Sequence, residues 1–480
     1  MNICLINPPI VVSENEEAYQ PMGLAYLGAV LQKENHQVEI LDAIIEDYRR
    51  KKIGDLQLIG LSYDEISLFV KEKKPTVVGI TIPFSAHAKS ALEVAKIIKK
   101  TNEKIIIVVG GPHATIVPEK CLTKYVDFVI IGEGEETMPE LIKHLEKKES
   151  EKKLLDIPGI AFLKNKKLII TKNRAMIQNL NKLPFPARHL LNLKKYFQEQ
   201  KKNNYSRGAT KKTTTIITSR GCPFGCVFCS INITMGKIFR PRTSRNVAAE
   251  LEYLVKKLKI EHIEFEDDNF TFNIRRTNKI CDLILKKKLK FIWRTPNGIR
   301  ADLLTPDLIQ KFKKTGCYEL WFAPESGSQR VINEVIGKRL LLEKVTFAVK
   351  ECLKNKIQPN CFFVIGSIGE TKNEIKETLV YMQKLRKIGA GCYINIATPL
   401  YGTRLYNQAK ENNYLRNIDD MNLVYNNGLY LDTPEFKAEE IYELFLEGRK
   451  IQRKNIIELI TFILKNPKKT IRFFVKKIKH

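Results

Sequence analysis

The string TSRGCPFGCVFCS, residues 218–230, sets Cys222, Cys226 and Cys229 at C-x3-C-x2-C spacing. Gly221, Pro223 and Gly225 make this stretch a loop and not a helix. Three thiolates so spaced wrap one [4Fe–4S] cubane and ligate three of its irons, which leaves the fourth iron open to an outside ligand. A structural zinc site closes with four protein ligands, and neither a second C-x2-C pair nor H-x3–5-H follows this loop. The loop sits at the end of a β-branched run, residues 214–218, so the iron–sulfur centre is expected at a strand end.

Working outward, strand-like runs at 214–218, 262–265, 291–294, 319–323, 361–365 and 393–397 alternate with helical stretches at 247–258, 278–286 and 306–314. Six β/α units in a row predict a partial (β/α)6 barrel over residues 210–410, with active residues at the C-terminal strand ends. Upstream, runs at 3–6, 38–41, 77–82, 105–109 and 128–131 alternate with helical spacing at 23–32 and 86–99. That alternation predicts a doubly wound, Rossmann-like α/β domain over residues 1–150. Residues 151–209, punctuated by Pro184 and Pro186, read as a linker region, and residues 411–480 as a helical, basic C-terminal extension.

With the aromatic Phe228 directly before its third cysteine, the loop resembles that of the radical S-adenosylmethionine superfamily. The resemblance implies that S-adenosylmethionine chelates the open iron and is cleaved reductively to a 5′-deoxyadenosyl radical, with flavodoxin or ferredoxin as electron donor. It also makes Phe228 a cofactor contact. Matching strings follow in barrel order. In EFEDDNFT, residues 264–271, Asp267 and Asp268 fall where the family holds the methionine amine. In NGIRADLL, residues 297–304, Arg300 stands beyond the third strand, placed to pair with a carboxylate. In FAPESGSQRVI, residues 322–332, Glu325 and Ser326 take the family's places against ribose hydroxyls or the methionine end. FFVIGSIGET (362–371) and ATPLYGTRLY (397–406) match the fifth and sixth strand ends. Taken alone, the acidic strand end also reads as a solvated turn, and Arg300 as a surface salt bridge.

Residues 1–150 resemble the cobalamin-binding domain that precedes the barrel in one large class of these enzymes. The matching strings are PMGLAYLGAVLQKENHQVEILDA (21–43), VVGITIP (77–83), VVGGPHAT (108–115) and FVIIGEGEET (128–137). Doubly wound sheets bind ligands in the crevice at their C-terminal strand ends, and glycine there lets backbone approach closely. On this resemblance the cobalamin contacts are Thr81, Gly110, Gly111, His113, Gly132, Glu133 and Gly134. One departure matters. Asn7-Pro8-Pro9 follows the first strand where the motif Asp-x-His-x-x-Gly would supply a histidine to cobalt. Cobalt is therefore expected without a histidine lower ligand, with His36 a capping or surface residue. The class contains methyltransferases acting on unactivated carbon and relatives of the anaerobic magnesium-protoporphyrin ester cyclase.

The whole chain fits this organisation. Its 480 residues exceed the size at which one core keeps growing. Seven of its ten cysteines are scattered among apolar residues and read as small buried hydrophobes. No run of eighteen apolar residues occurs, and a strand-like segment so near Met1 leaves no room for a signal peptide, so a cytoplasmic protein is expected. The net charge is +28, and the tail KKTIRFFVKKIKH, residues 468–480, carries Ile471, Phe474, Val475 and Ile478 on one helical stripe. A basic amphipathic helix suits peripheral contact with an anionic membrane face, or a last helix packed on the protein. The substrate is expected to be a small molecule or lipid. Nucleic acid is disfavoured, since no appended RNA-binding module is recognisable. Two other functions compete: a tRNA-modifying methylthiotransferase and a non-catalytic cobalamin or cluster sensor. The first needs a further three-cysteine set upstream, which Cys4 and Cys121 cannot supply. The complete series of barrel strings opposes the second.

Overall fold

A computed structural model describes residues 1–12, 19–48, 50–53, 56–203, 212–416 and 428–453. In the N-terminal half, β1 (Asn2–Asn7), β2 (Gln37–Asp42), β3 (Val77–Thr81), β4 (Ile106–Gly110) and β5 (Phe128–Ile130) form a parallel sheet. Its β-branched runs suit strands covered on both faces. Ile3, Leu5, Val108 and Ile130 pack on one side, and Ile6, Ile80, Ile107 and Val109 on the other. Helix Ala88–Thr101 shows why the crossovers hold: Ala88, Ala91, Ala95 and Ile98 recur on one buried stripe.

Residues 151–209 are more than a linker. Within them β6 (Ile160–Lys164) and β7 (Lys167–Ile170) form an antiparallel hairpin that extends the same sheet, giving the order β7-β6-β5-β4-β3-β1-β2. Its two-residue turn, Asn165-Lys166, takes positive φ at both positions (50° and 63°), which matches the twist of a tight hairpin. Arg188, from the same region, is buried and joins Glu250 at 2.6 Å and the Thr215 carbonyl at 2.7 Å. A further small antiparallel sheet, Ile10–Val12 with Leu56–Ile59 and Arg50–Ile53, was not expected from the sequence.

The barrel strands follow in chain order: β8 (Thr213–Ile216), β9 (His262–Phe265), β10 (Ile292–Ile299), β11 (Cys317–Glu325), β12 (Gln358–Ile365) and β13 (Gly391–Ile396). All are parallel, so their C-terminal ends share one mouth. Helices such as Pro306–Lys314, with Thr305 as cap and Pro306 in the first turn, cover the outer face. The last described helix, Ala438–Gln452, lies against β13, with Gly448 packed on Ile394. The basic stripe at 468–480 lies outside the described residues. Among the described residues, no helix is long and apolar enough to cross a membrane.

Candidate active site

Backbone hydrogen bonds pin the cysteine loop before any cofactor is considered. Ser219–Arg220 pairs with Arg240–Pro241, and the Cys222 N–H donates to the Gly236 carbonyl at 3.2 Å. Gly221 has φ 83°, and a side chain there would collide with the Ile238 carbonyl. Asn232 donates to the carbonyls of Cys222 (3.2 Å) and Phe224 (2.7 Å), and the Val227 N–H donates to the Ile336 carbonyl. All three cysteines are free and half-buried, while the other seven are buried. Among the described residues, no three His, Cys, Asp or Glu side chains converge closely enough to hold a single metal ion. Burial pushes the thiols up, Cys229 to about 12 and Cys222 and Cys226 in the same direction, with Lys338 and Arg300 opposing at those two. Iron must therefore displace protons on binding.

The structure brings Asp268, Arg300 and Glu325 to this mouth. Asp268 accepts from the Gly221 N–H at 2.8 Å, and burial raises its carboxyl to about 6. Arg300 lies 4.1 Å from the Phe224 ring centroid, pairs with Asp302 at 2.7 Å and donates to the carbonyls of Lys338 and Arg339. Glu325 takes a left-handed backbone (φ 69°) and pairs with Lys338 at 2.7 Å. Phe228 packs partly buried against the barrel core. Two expectations meet other partners. Both oxygens of Asp267 are engaged by the Thr218 N–H and hydroxyl and the Ser219 hydroxyl, so it braces the strand-to-loop junction. Ser326 is fully buried, bonded to Thr378 Oγ1 at 2.9 Å and accepting from the Ser328 N–H, and faces away from the mouth. Sequence reasoning missed Lys338, which carries no periodic or motif signal after Gly337.

At the C-terminal edge of the first sheet, Thr81, Gly110, Gly111, Gly132 and Gly134 lie along neighbouring strand ends. Gly111 has φ 103° with the Ile82 carbonyl 2.9 Å from where a Cβ would stand, and Gly132 has φ 84° with open space there. His113 is 2% exposed, its Nδ1 is 2.9 Å from Ser85 Oγ, and its Nε2 is buried without a hydrogen-bond partner among the described residues. Burial, aided by Lys120, lowers its pKa to about 4, so the ring is neutral. An orphaned imidazole nitrogen beside an open glycine edge fits a bound corrinoid. His36 stands at the opposite edge, before β2, 3.2 Å from the N-terminal ammonium. Glu133 requires correction: its carboxylate joins Arg220 and Arg240 at 2.7 Å each and accepts from the Ile177 N–H, so no oxygen faces a ligand. Glu135 holds the other nitrogen of Arg220 at 2.5 Å. This buried network ties the glycine turn of one domain to the residue before the cluster loop of the other. Arg220 lay in the string that decided the fold, but nothing in sequence named its partners.

A doubly wound ligand-binding sheet feeding a parallel partial barrel with three cysteines at its mouth defines a two-domain iron–sulfur enzyme. The chain matches the B12 binding domain over residues 8–142 and the Radical SAM superfamily over residues 216–382. An uncharacterised methyltransferase of Pyrococcus horikoshii is 35% identical over 397 residues, which cover 82% of this chain and 79% of the relative. Cytidylyl-2-hydroxyethylphosphonate methyltransferase of Streptomyces wedmorensis is 28% identical over 478 residues, 92% of this chain and 88% of the relative. The fold is shared with the cobalamin-dependent S-adenosylmethionine radical enzyme OxsB with aqua-cobalamin bound (TM-score 0.72, 18% identity, 92% of this chain, 66% of that chain). It is shared too with TsrM from Kitasatospora setae with cobalamin and a [4Fe–4S] cluster bound (TM-score 0.68, 15% identity, 85% and 78%). The chain belongs to the cobalamin-binding radical S-adenosylmethionine enzymes. Its cofactors are a [4Fe–4S] cluster, S-adenosylmethionine and cobalamin.

Proposed function

We propose that the enzyme methylates an unactivated carbon of a small molecule, of natural-product or lipid type. The observation that carries this reading is the anchoring of the cysteine loop directly to the glycine turn of the corrinoid edge by Arg220 and Glu133. When bound, the cluster with S-adenosylmethionine supplies a hydrogen-abstracting 5′-deoxyadenosyl radical, and the corrinoid supplies the methyl group. The chain's own residues then divide the work. Cys222, Cys226 and Cys229 hold the irons, with Asn232, Asp267 and Asp268 keeping their loop in shape. Phe228, Arg300 and Glu325 would flank S-adenosylmethionine, and the Lys338 ammonium beside Glu325 and Cys226 would balance negative charge at the mouth. Thr81, Gly110, Gly111, Gly132 and Gly134 would line the corrinoid, with His113 at its periphery.

The reductant in this reading is flavodoxin or ferredoxin, and the tail at 466–480 brings the enzyme to an anionic membrane face. The test is anaerobic reconstitution followed by quantification of iron, sulfide and corrinoid, and turnover with methyl-deuterated S-adenosylmethionine. Formation of 5′-deoxyadenosine together with label on a carbon of the product is expected. A fully loaded enzyme that yields 5′-deoxyadenosine but never transfers label to product overturns the methylation reading.

A further inference from the structure

Side chains on the barrel strands alternate between two faces. Leu320, Phe322, Cys361, Phe363, Cys392 and Ile394 are buried under the outer helices. The residues between them face the concave side, since successive side chains on a strand point to opposite faces. There Trp321 stacks on Phe362 (ring centroids 4.5 Å, 23°) and meets Tyr393 at 4.8 Å. None of the three is buried, and Tyr393 is 37% exposed. Gly298, at φ 86°, keeps the space above them clear: a Cβ there would stand 3.6 Å from Ala323 Cβ and 3.9 Å from the Phe362 ring.

The same face is acidic in a chain whose net charge is +28. Arg294 bridges Glu264 at 2.5 Å and Glu319 at 3.1 Å, and Glu319 accepts from Trp321 Nε1 at 2.7 Å, so the acidic strip runs into the aromatic slab. Glu266 follows two residues after Glu264. No described group donates a hydrogen bond to its carboxylate, which burial and Glu264 push up to about 7, with Arg294 opposing. Glu264, Glu266 and Glu319 thus gather around Arg294 beside the aromatic slab.

We propose that this concave face is the substrate site and that it takes a planar, nitrogen-bearing ring presenting N–H donors, stacked on Trp321, Phe362 and Tyr393 and read by Glu266. An aliphatic chain leaves the Glu266 carboxylate desolvated and unpaired, and an anion meets that carboxylate with like charge. A ring with N–H donors satisfies both halves, by stacking on the slab and by charge-assisted hydrogen bonds to the carboxylate. This inference rests on the small-molecule methylation reading and names its substrate class.

Anaerobic calorimetric titration of the loaded enzyme tests it, with S-adenosylhomocysteine saturating the cofactor site. Tryptamine and cytosine are the planar N–H donors, and decanol and naphthalene-2-sulfonate the comparators. Tryptamine and cytosine bind, and the comparators bind at least tenfold more weakly. Trp321→Leu weakens tryptamine binding about tenfold, whereas Trp321→Phe retains most of it. Glu266→Gln weakens tryptamine more than cytosine, because only tryptamine brings a full positive charge. Each variant keeps its full iron and corrinoid content, which separates lost recognition from lost folding. Decanol binding as tightly as tryptamine, or tryptamine binding unchanged in both Trp321→Leu and Glu266→Gln, overturns the proposal while the methylation reading stands. A chain that takes up neither cluster nor corrinoid overturns the methylation reading instead, and the same titration on that chain still decides what the concave face binds.

Discussion

Replacing Glu133 with Gln keeps the side chain's size and removes the charge set between two guanidiniums. The native carboxylate is 5% exposed and meets Arg220 and Arg240 at 2.7 Å each. Burial alone favours its neutral form, but the two arginines outweigh burial and hold its pKa below the usual carboxylate range. Breaking a buried pair costs about 3–5 kcal/mol. Glu135 still holds one nitrogen of Arg220, so the lower end, about 3 kcal/mol, is expected. Urea unfolding of the native protein, Glu133→Gln, Arg240→Met and the double variant gives the coupling energy, expected near 2 kcal/mol. The pH dependence follows from the depressed pKa. The carboxylate's contribution is present above its unfolded value of 4.5 and is lost as pH falls through the folded value, so native and variant stabilities converge in acid. A loss under about 1 kcal/mol at neutral pH, or a gap that persists unchanged in acid, refutes the reasoning.

Cys222→Ala, Cys226→Ala and Cys229→Ala each abolish 5′-deoxyadenosine formation, measured by chromatography, whereas Cys317→Ala or Cys361→Ala costs only packing, about 1–2 kcal/mol. The cob(II)alamin EPR spectrum of the loaded enzyme shows no imidazole nitrogen hyperfine structure, and His113→Ala weakens corrinoid retention without changing that spectrum. Glu370 is fully buried and raised to about 8, so the fold favours its proton. Its stabilising effect is complete below the unfolded value of 4.5 and is lost as pH rises to about 8, by up to about 5 kcal/mol. Thermal melts of Glu370→Gln should therefore fall less than those of the native protein between pH 5 and 9. Removing residues 466–480 abolishes salt-sensitive sedimentation with anionic vesicles and leaves cluster content intact, each basic residue contributing about 1 kcal/mol to that attraction. Equal sedimentation with and without the tail defeats the membrane reading.

The strands were legible because parallel strands covered on both faces read as unbroken β-branched runs, as in 77–82 and 105–109. The hairpin at 160–170 escaped because its Asn-Lys turn lacks the usual glycine and its strands, IAFLK and KLII, are short. Cysteine spacing is local, so the cluster loop stood out. Glu133 and Asp267 sat in recognisable strings, yet their partners come from 44 to 107 residues away, and only the folded backbone brings them together. Glu266 was hidden for a related reason. Its neighbours Asp267 and Asp268 resemble a cofactor contact, while its own significance depends on which face of β9 it extends.

The uneven burial of the cysteines sets where oxidation strikes. Seven thiols are at most 1% exposed, with burial holding them protonated, and peroxide or free iron has no path to them. Oxidative injury is thereby confined to the three thiols of one loop, whose backbone stays fixed by Gly236, Asn232 and Asp268 when the irons are gone. A bleached enzyme should thus keep its shape and regain its cluster once a thiol reductant, iron and sulfide are supplied, since any disulfide formed is confined to that loop.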